Sequence, residues 1–258
     1  MPIDFTDPAN RGTYSGRTAD PSWHAAIGDL VDARGLTVAD VGCGGGVYAH
    51  AWLDLGAARV VGVDSSEPLL GAARESGDRP GLTFLAGDAA ATGLAAESVD
   101  VVFQRALVHH LADLGPVAAE AFRVLAPGGR YVVQDRVADD VTQPPSSRHV
   151  RAWFFAVHPR LLDVELARRP TPAAVTTALS AAGFTDLRQS TLWETRRVHA
   201  DPEELLREVR GRVGRSILHE LDDAELDVLV ERMRAELPAG GPVVEQDRWT
   251  VWTATRPR

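Results

Sequence analysis

The sequence contains no lysine: all 27 of its basic residues are arginine. Schiff-base and lysine-base chemistry are thereby excluded, since both need a primary amine. Cysteine is almost as scarce. The single residue, Cys43, leaves no disulfide framework, and no Cys/His spacing suits zinc, so no metal is expected. Positive charge is outnumbered, 27 basic against 36 acidic side chains, for a net charge of −9. That balance argues against a nucleic-acid partner, because phosphate binding needs a basic face. No apolar segment reaches the roughly 18 residues of a membrane helix, and no signal-peptide pattern opens the chain. A cytoplasmic protein without a membrane span is expected.

What remains is an ordinary globular composition, 45% hydrophobic and 24% charged over 258 residues, enough for one sizeable α/β domain with insertions. Short apolar runs alternate with helical patterns along the first half. Strands are expected over Leu36–Val41, Arg59–Val63, Leu82–Leu85, Val99–Phe103 and Arg130–Val133, with Phe184–Leu192 and Gln246–Ala254 following later. Helices are expected over Trp23–Ala33, Val47–Leu55, Pro68–Glu75, Leu114–Leu125 and Thr171–Ala182, with a charged helical region over 201–237. Strands that alternate with helices make an α/β, doubly wound, mostly parallel seven-stranded sheet. The expected division is an arm and helix (1–34), a ligand-binding core (35–135), a cap insertion (136–170), a core helix and strand (171–195), a second helical cap (196–240) and a final strand (241–258).

The chain is organised around Val38–Tyr48, where four of the five positions from 42 to 46 are glycine: Gly42, Gly44, Gly45 and Gly46. Glycine weakens strand and helix alike, so its concentration between them marks a sharp turn that a ligand approaches closely. Amides left bare at the start of the next helix would form a polar cradle. A Gly-rich turn alone is shared by several nucleoside-binding folds. Here the lysine of the phosphate loop is missing, and Val47 stands where the dinucleotide fingerprint wants Gly or Ala. Asp64, ending the second strand, is spaced to accept from ribose hydroxyls. Asp40 and Asp64 bracket the turn. Two carboxylates repel a pyrophosphate but suit a ligand with an ammonium or sulfonium, which favours S-adenosylmethionine over a dinucleotide. Asp88, after the third strand, can accept from an adenine amine while the Ala89 amide donates to the ring; its alternative is a solvated loop residue.

The blocks Val38–Tyr48, Val60–Ser66, Phe84–Gly93 and Val99–Val133 together resemble class I S-adenosylmethionine-dependent methyltransferases of the type 11 group, similar to the enzymes of menaquinone and ubiquinone biosynthesis. The resemblance implies a Rossmann-like sheet whose last strand runs antiparallel. It implies that Gly42, Cys43, Gly44 and Gly46 face the methionine part, that Asp64 and Ser65 meet the ribose, and that Asp88 and Ala89 meet the adenine. Gln104 and Arg105 would line the cofactor, and Tyr14 and Arg17 would close over its carboxylate or else remain a solvated arm. The helical stretch at 196–240 departs from the family's short hairpin, so the substrate does not carry over.

Methyl transfer to an O, N or C nucleophile of a small organic molecule is the expected activity. His109 and His110, just past the fourth strand, are candidate bases, with helix-start packing as their alternative. Trp153, Phe154, Phe155 and His158 are candidates for an apolar substrate wall, with cap packing as theirs. The stretch Arg207–Arg215 alternates with Glu and reads as a solvated helix face. Two other classes stay open: an NAD(P)-dependent oxidoreductase, and a cofactor-binding protein of this fold without transfer. A homodimer is neither required nor excluded.

Overall fold

The structure, a computed structural model, describes residues 18–258. The expectations for Tyr14 and Arg17 lie outside the described residues. The chain divides into two compact units. One comprises residues 18–135, Pro170–Leu192 and Thr250–Arg258; the other comprises Arg136–Arg169 and Trp193–Trp249.

The first unit is built on a seven-stranded sheet. In chain order the elements are α1 (Pro21–Leu30), β1 (Thr37–Val41), α2 (Val47–Asp54), β2 (Arg59–Asp64), α3 (Glu67–Glu75), β3 (Leu82–Ala86), β4 (Val99–Arg105), α4 (Gly115–Val124) and β5 (Leu125–Asp135). After the helices α5 (Ala138–Val141), α6 (Arg151–Val157) and α7 (Arg160–Ala167) of the second unit, the chain returns as α8 (Pro172–Ala181) and β6 (Thr185–His199). It leaves again as α9 (Pro202–Arg210) and α10 (Asp223–Glu236) and closes with β7 (Val243–Thr255). Strand order is β3-β2-β1-β4-β5-β7-β6. The β1–β2, β1–β4, β2–β3 and β4–β5 pairs are parallel; β7 runs antiparallel to β5, with Asp135 opposite Thr250. The order reverses between β1 and β4, and that switch point is where ligands bind in open α/β sheets.

Local sequence explains the elements. Ser66, Thr171 and Asp201 each accept from the amide three residues on and are followed by Pro in the first turn. Asp222 and Glu225 form a reciprocal capping box at α10. One face of the sheet is held by an aromatic cluster in which Trp23, Trp52 and Phe103 are fully buried, with ring centroids 5.5–5.7 Å apart. Edge-to-face pairs of this kind contribute about 0.5–1.5 kcal/mol each beyond area burial.

Three boundaries differ from the sequence reading. β5 begins at Leu125 and carries Pro127-Gly128-Gly129 inside it, where the pairing with β4 shifts register between Val99 and Val101. A turn signature is thus absorbed as a strand irregularity. β6 runs to His199, seven residues beyond its expected end, on a largely exposed edge where alternation gives no apolar signal. Gln104 and Arg105 belong to β4 rather than following it.

The second unit has its own core. Phe154, Leu161, Leu205, Val209, Leu218 and Leu229 are buried together with the rest of one apolar cluster. Beside that core lies an ionic network. Glu165 pairs with Arg168 and Arg169, Asp247 with Arg136 at 2.6 Å, and Glu245 with Arg215 at 2.7 Å and His199 at 3.1 Å. Arg215 is 1% exposed, which corrects the reading of Arg207–Arg215 as a solvated helix face: the helix ends at Arg210, and Arg215 beyond it is buried. Burial pushes the Glu245 carboxyl up, but Arg215 and Arg196 outweigh it and hold it at about 2. Among the described residues no helix is long and apolar enough to cross a membrane.

Candidate active site

β1 ends at Val41, and the glycine turn leads directly into α2. Gly42, Gly44 and Gly46 have φ of +79°, +52° and +81°, so the turn cannot be made by residues with side chains without strain. At Gly46 a Cβ would also stand 2.8 Å from the Phe84 ring, whereas Gly45 faces open space. The turn's amides are less bare than the sequence suggested. Gly42 and Cys43 donate to the Val63 carbonyl at 2.7 and 3.1 Å, and Gly46 donates to the Cys43 carbonyl at 2.9 Å. Gly44 donates to Asp64 Oδ2 at 2.8 Å. These four amides are spent on fixing the shape of the loop.

Asp64 is the knot of the site. Its second oxygen accepts from the Ser66 amide at 2.8 Å, and its carbonyl accepts from the Gly87 amide at 3.0 Å. One residue therefore ties the glycine turn, the start of α3 and the loop after β3. Ser65 is exposed beside it. Asp88 is exposed and accepts from the Ala90 amide at 2.8 Å, a local turn that leads through Ala89 to a bridge at Ala91. That loop is pinned by residues the sequence reading passed over. Thr92 donates twice to Glu120, which Arg123 also clasps. A polar side chain on the inward face of α4 was the available signal.

Asp40 is 2% exposed, and its Oδ2 has no hydrogen-bond partner. Burial, then the charge of Asp64, pushes its carboxyl up to about 7; Arg105 and the Ala49 amide pull only partly the other way. A buried carboxylate missing a partner beside the turn is what a cationic ligand would complete. The Cys43 thiol, also buried, is pushed well above its usual range by burial and by the two aspartates.

Arg105 lies over the Tyr48 ring at 4.3 Å, on the face shared with α2. Gln104 does not join it. Strand alternation turns Gln104 to the opposite side, where it is 1% exposed and accepts from the Tyr131 hydroxyl at 2.6 Å. Its side chain belongs to the sheet interior, which corrects its assignment to the cofactor.

Past β4 the chain makes one 3-10 turn, Val108–His110. His109 Nδ1 is 3.0 Å from both oxygens of Asp135, the last residue of β5, and the His109 amide donates to the same carboxylate at 3.2 Å. Asp135 is fully buried and the His109 side chain is 10% exposed. The His110 ring lies against that of His109, 4.0 Å between centroids.

The apolar candidates fare differently. Phe154 and Phe155 are 1% and 6% exposed inside the helical unit's core, so they pack rather than wall a substrate. Trp153 packs on the same cluster, and His158 Nε2 is 2.9 Å from the Glu225 carbonyl. Among the described residues, His199, Glu204 and Glu208 could present metal ligands to one point. Arg197 pairs with both glutamates and Arg215 lies 3.5 Å from Glu208, so arginine already supplies the positive charge there.

Comparison with known proteins shows which family the chain belongs to. The family described as a methyltransferase domain matches residues 39–133. Nocamycin O-methyltransferase of Saccharothrix syringae is 33% identical over 245 residues, spanning 83% of this chain and 84% of its own. The chain belongs to the S-adenosylmethionine-dependent methyltransferases. Trans-aconitate 2-methyltransferase of Azoarcus is 33% identical over 218 residues, with 80% of this chain and 79% of the relative covered. In fold, the methyltransferase is similar to phosphoethanolamine N-methyltransferase 2 of Haemonchus contortus, solved with S-adenosylhomocysteine (TM-score 0.63, 18% identity, 99% of this chain and 61% of that one). Membership replaces the dinucleotide reading, and the orphaned Asp40 oxygen beside the turn fits a cofactor that carries positive charge and no phosphate.

Proposed function

We propose that this methyltransferase modifies a small organic molecule, and that the cofactor is held by the glycine turn, Asp40, Asp64 with Ser65, Asp88 with Ala89, and Arg105. The observation that carries the reading is the position of Asp64. It already fixes the turn and the two neighbouring loops, so a ribose placed on it would be oriented by three segments at once. When bound, S-adenosylmethionine supplies a methyl group on a sulfonium, and the chain's task is to hold a nucleophile in line with it. Positioning of that kind lowers a barrier by about 7–11 kcal/mol at most. His109 is the proposed base.

The family match ends at residue 133, before the helical unit begins. We assign substrate choice to that unit because it lies outside the residues that the family shares. The net charge of −9 supports a small molecule rather than a nucleic acid, and a lone buried thiol suits the reducing cytoplasm. Titration calorimetry with S-adenosylhomocysteine tests the cofactor assignment. Wild type should bind and Asp64→Ala should bind at least tenfold more weakly; equal affinities would refute the ribose role. Binding with no transfer to any substrate would favour a cofactor-binding protein.

A further inference from the structure

The helical unit carries a donor cluster that methyl transfer does not use. We propose that His199, Glu204 and Glu208 bind one divalent cation of the zinc class, and that Arg197 is the side chain the ion displaces. All four residues belong to the helical unit and lie beyond the family match, so the site stands apart from the methyltransferase reading.

Local structure brings the donors together. β6 ends at His199, Asp201 caps α9, and Glu204 and Glu208 stand one turn apart on one face of α9. One ligand atom from each of the three lies within 4.8 Å of the others. Zinc holds nitrogen and oxygen ligands at about 2.0–2.2 Å, so the two partly exposed glutamates would close in on the fixed histidine.

The histidine separates this cluster from an ordinary surface ion pair. It has no exposed surface, and its Nε2 is 3.1 Å from Glu245 Oε2. Arg215, 2.7 Å from the same oxygen, helps to hold Glu245 ionised, and a carboxylate only accepts. Nε2 therefore donates, which leaves the Nδ1 lone pair bare in the neutral ring. Nδ1 is buried and has no hydrogen-bond partner. Metal-bound histidines have this arrangement, one nitrogen on the ion and the other donating to a carboxylate. One imidazole with two carboxylates suits zinc better than magnesium or calcium, which take oxygen ligands. Water completes the coordination.

Arg197 holds the place that the ion would take. Its guanidinium is 3.0 Å from Glu204 Oε1 and also pairs with Glu208, on a side chain that is half exposed. Exposed ion pairs are weak, so this latch is displaceable. Glu204 Oε2 accepts from the Ala200 amide at 2.6 Å and leaves Oε1 for the ion. A dication thus replaces one guanidinium between the two carboxylates, and the buried histidine joins them. The bound ion ties the end of β6 to α9.

The test uses full-length protein freed of metal by a chelator, with no cofactor added. It is titrated with Zn2+ by calorimetry and with Co2+ by visible absorption, which reports the ligand field. Wild type should bind one ion per chain with a rise in Tm. His199→Gln and Glu208→Gln should each weaken binding roughly tenfold or more. Arg197→Ala should tighten it roughly three- to tenfold, the equivalent of the exposed ion pairs it removes. A purely structural role for these side chains predicts no such gain, since Arg197→Ala breaks the same pairs. Absence of saturable binding in both wild type and Arg197→Ala would overturn the proposal. So would binding undiminished in His199→Gln, which would mean an ion held at another surface histidine. An affinity unchanged in Arg197→Ala would overturn the displacement. The comparison of wild type with Arg197→Ala keeps the test decisive if loss of the buried histidine prevents folding.

Discussion

Replacing Asp40 with Asn should stabilise the cofactor-free protein at pH 8 while weakening its hold on the cofactor. The carboxyl is held at about 7 in the fold against an ordinary value of 3.8, a difference of about 3 pH units. At about 1.4 kcal/mol per unit, the full effect is about 4 kcal/mol. Its sign follows from the proton: the unfolded chain releases it near pH 4, and the folded chain keeps it until about 7. Stability present below pH 4 is therefore lost as pH rises, and the loss is complete above about 7. Asn cannot titrate and stands in for the protonated acid. Urea unfolding of the cofactor-free proteins at pH 5 and pH 8 should show wild type losing about 3 kcal/mol relative to Asp40→Asn across that interval. Calorimetry at pH 8 should show the variant binding S-adenosylhomocysteine more weakly, since the uncompensated charge that costs stability is what the cofactor's ammonium would neutralise. Parallel pH dependence of the two proteins would refute the reasoning, because it would mean that Asp40 finds a partner or water in the folded state.

Three further outcomes follow from packing and charge. Gly46→Ala should lower stability by about 1–3 kcal/mol, seen as a fall in Tm, because φ is +81° and the new methyl would strike Phe84. Glu245→Gln should destabilise the protein by about 3 kcal/mol at pH 7 by leaving buried Arg215 with only the more distant carboxylate of Glu208. In wild type that acid is held at about 2 against a usual 4.5, so its contribution is intact above about pH 5 and is lost as pH falls towards 2. Cys43 should resist a disulfide-exchange reagent in the native protein and react promptly in denaturant, since its thiol is buried and pushed up. Rapid native reaction would mean that the glycine turn opens.

The cofactor core was legible because its signals are local. A strand that must end in a turn with three left-handed residues declares itself as clustered glycine, and Asp64 announces itself at the end of the next apolar run. The His pair was legible as a pair, but nothing within the turn chose between its members. Asp135, the carboxylate that contacts His109 Nδ1, is 26 residues away and arrives through the β4–β5 pairing. Gln104 was misplaced for a related reason: period-two alternation sends neighbours to opposite faces, and which face holds the cofactor depends on the sheet, not on the pair. Phe154 and Phe155 looked like a substrate wall because an aromatic run carries no sign of what will cover it.

By itself the sequence determined the parallel sheet, the sharp turn after β1 and the carboxylates around it, since hydrophobic period, glycine's backbone freedom and chain spacing act over a few residues. Only tertiary structure decided which charges are buried. Asp40 lost its water, Arg215 was drawn to Glu245 from 30 residues away, and Asp135 was brought to His109. Desolvation and pairing depend on what the whole fold places around a group, and no window of sequence contains that.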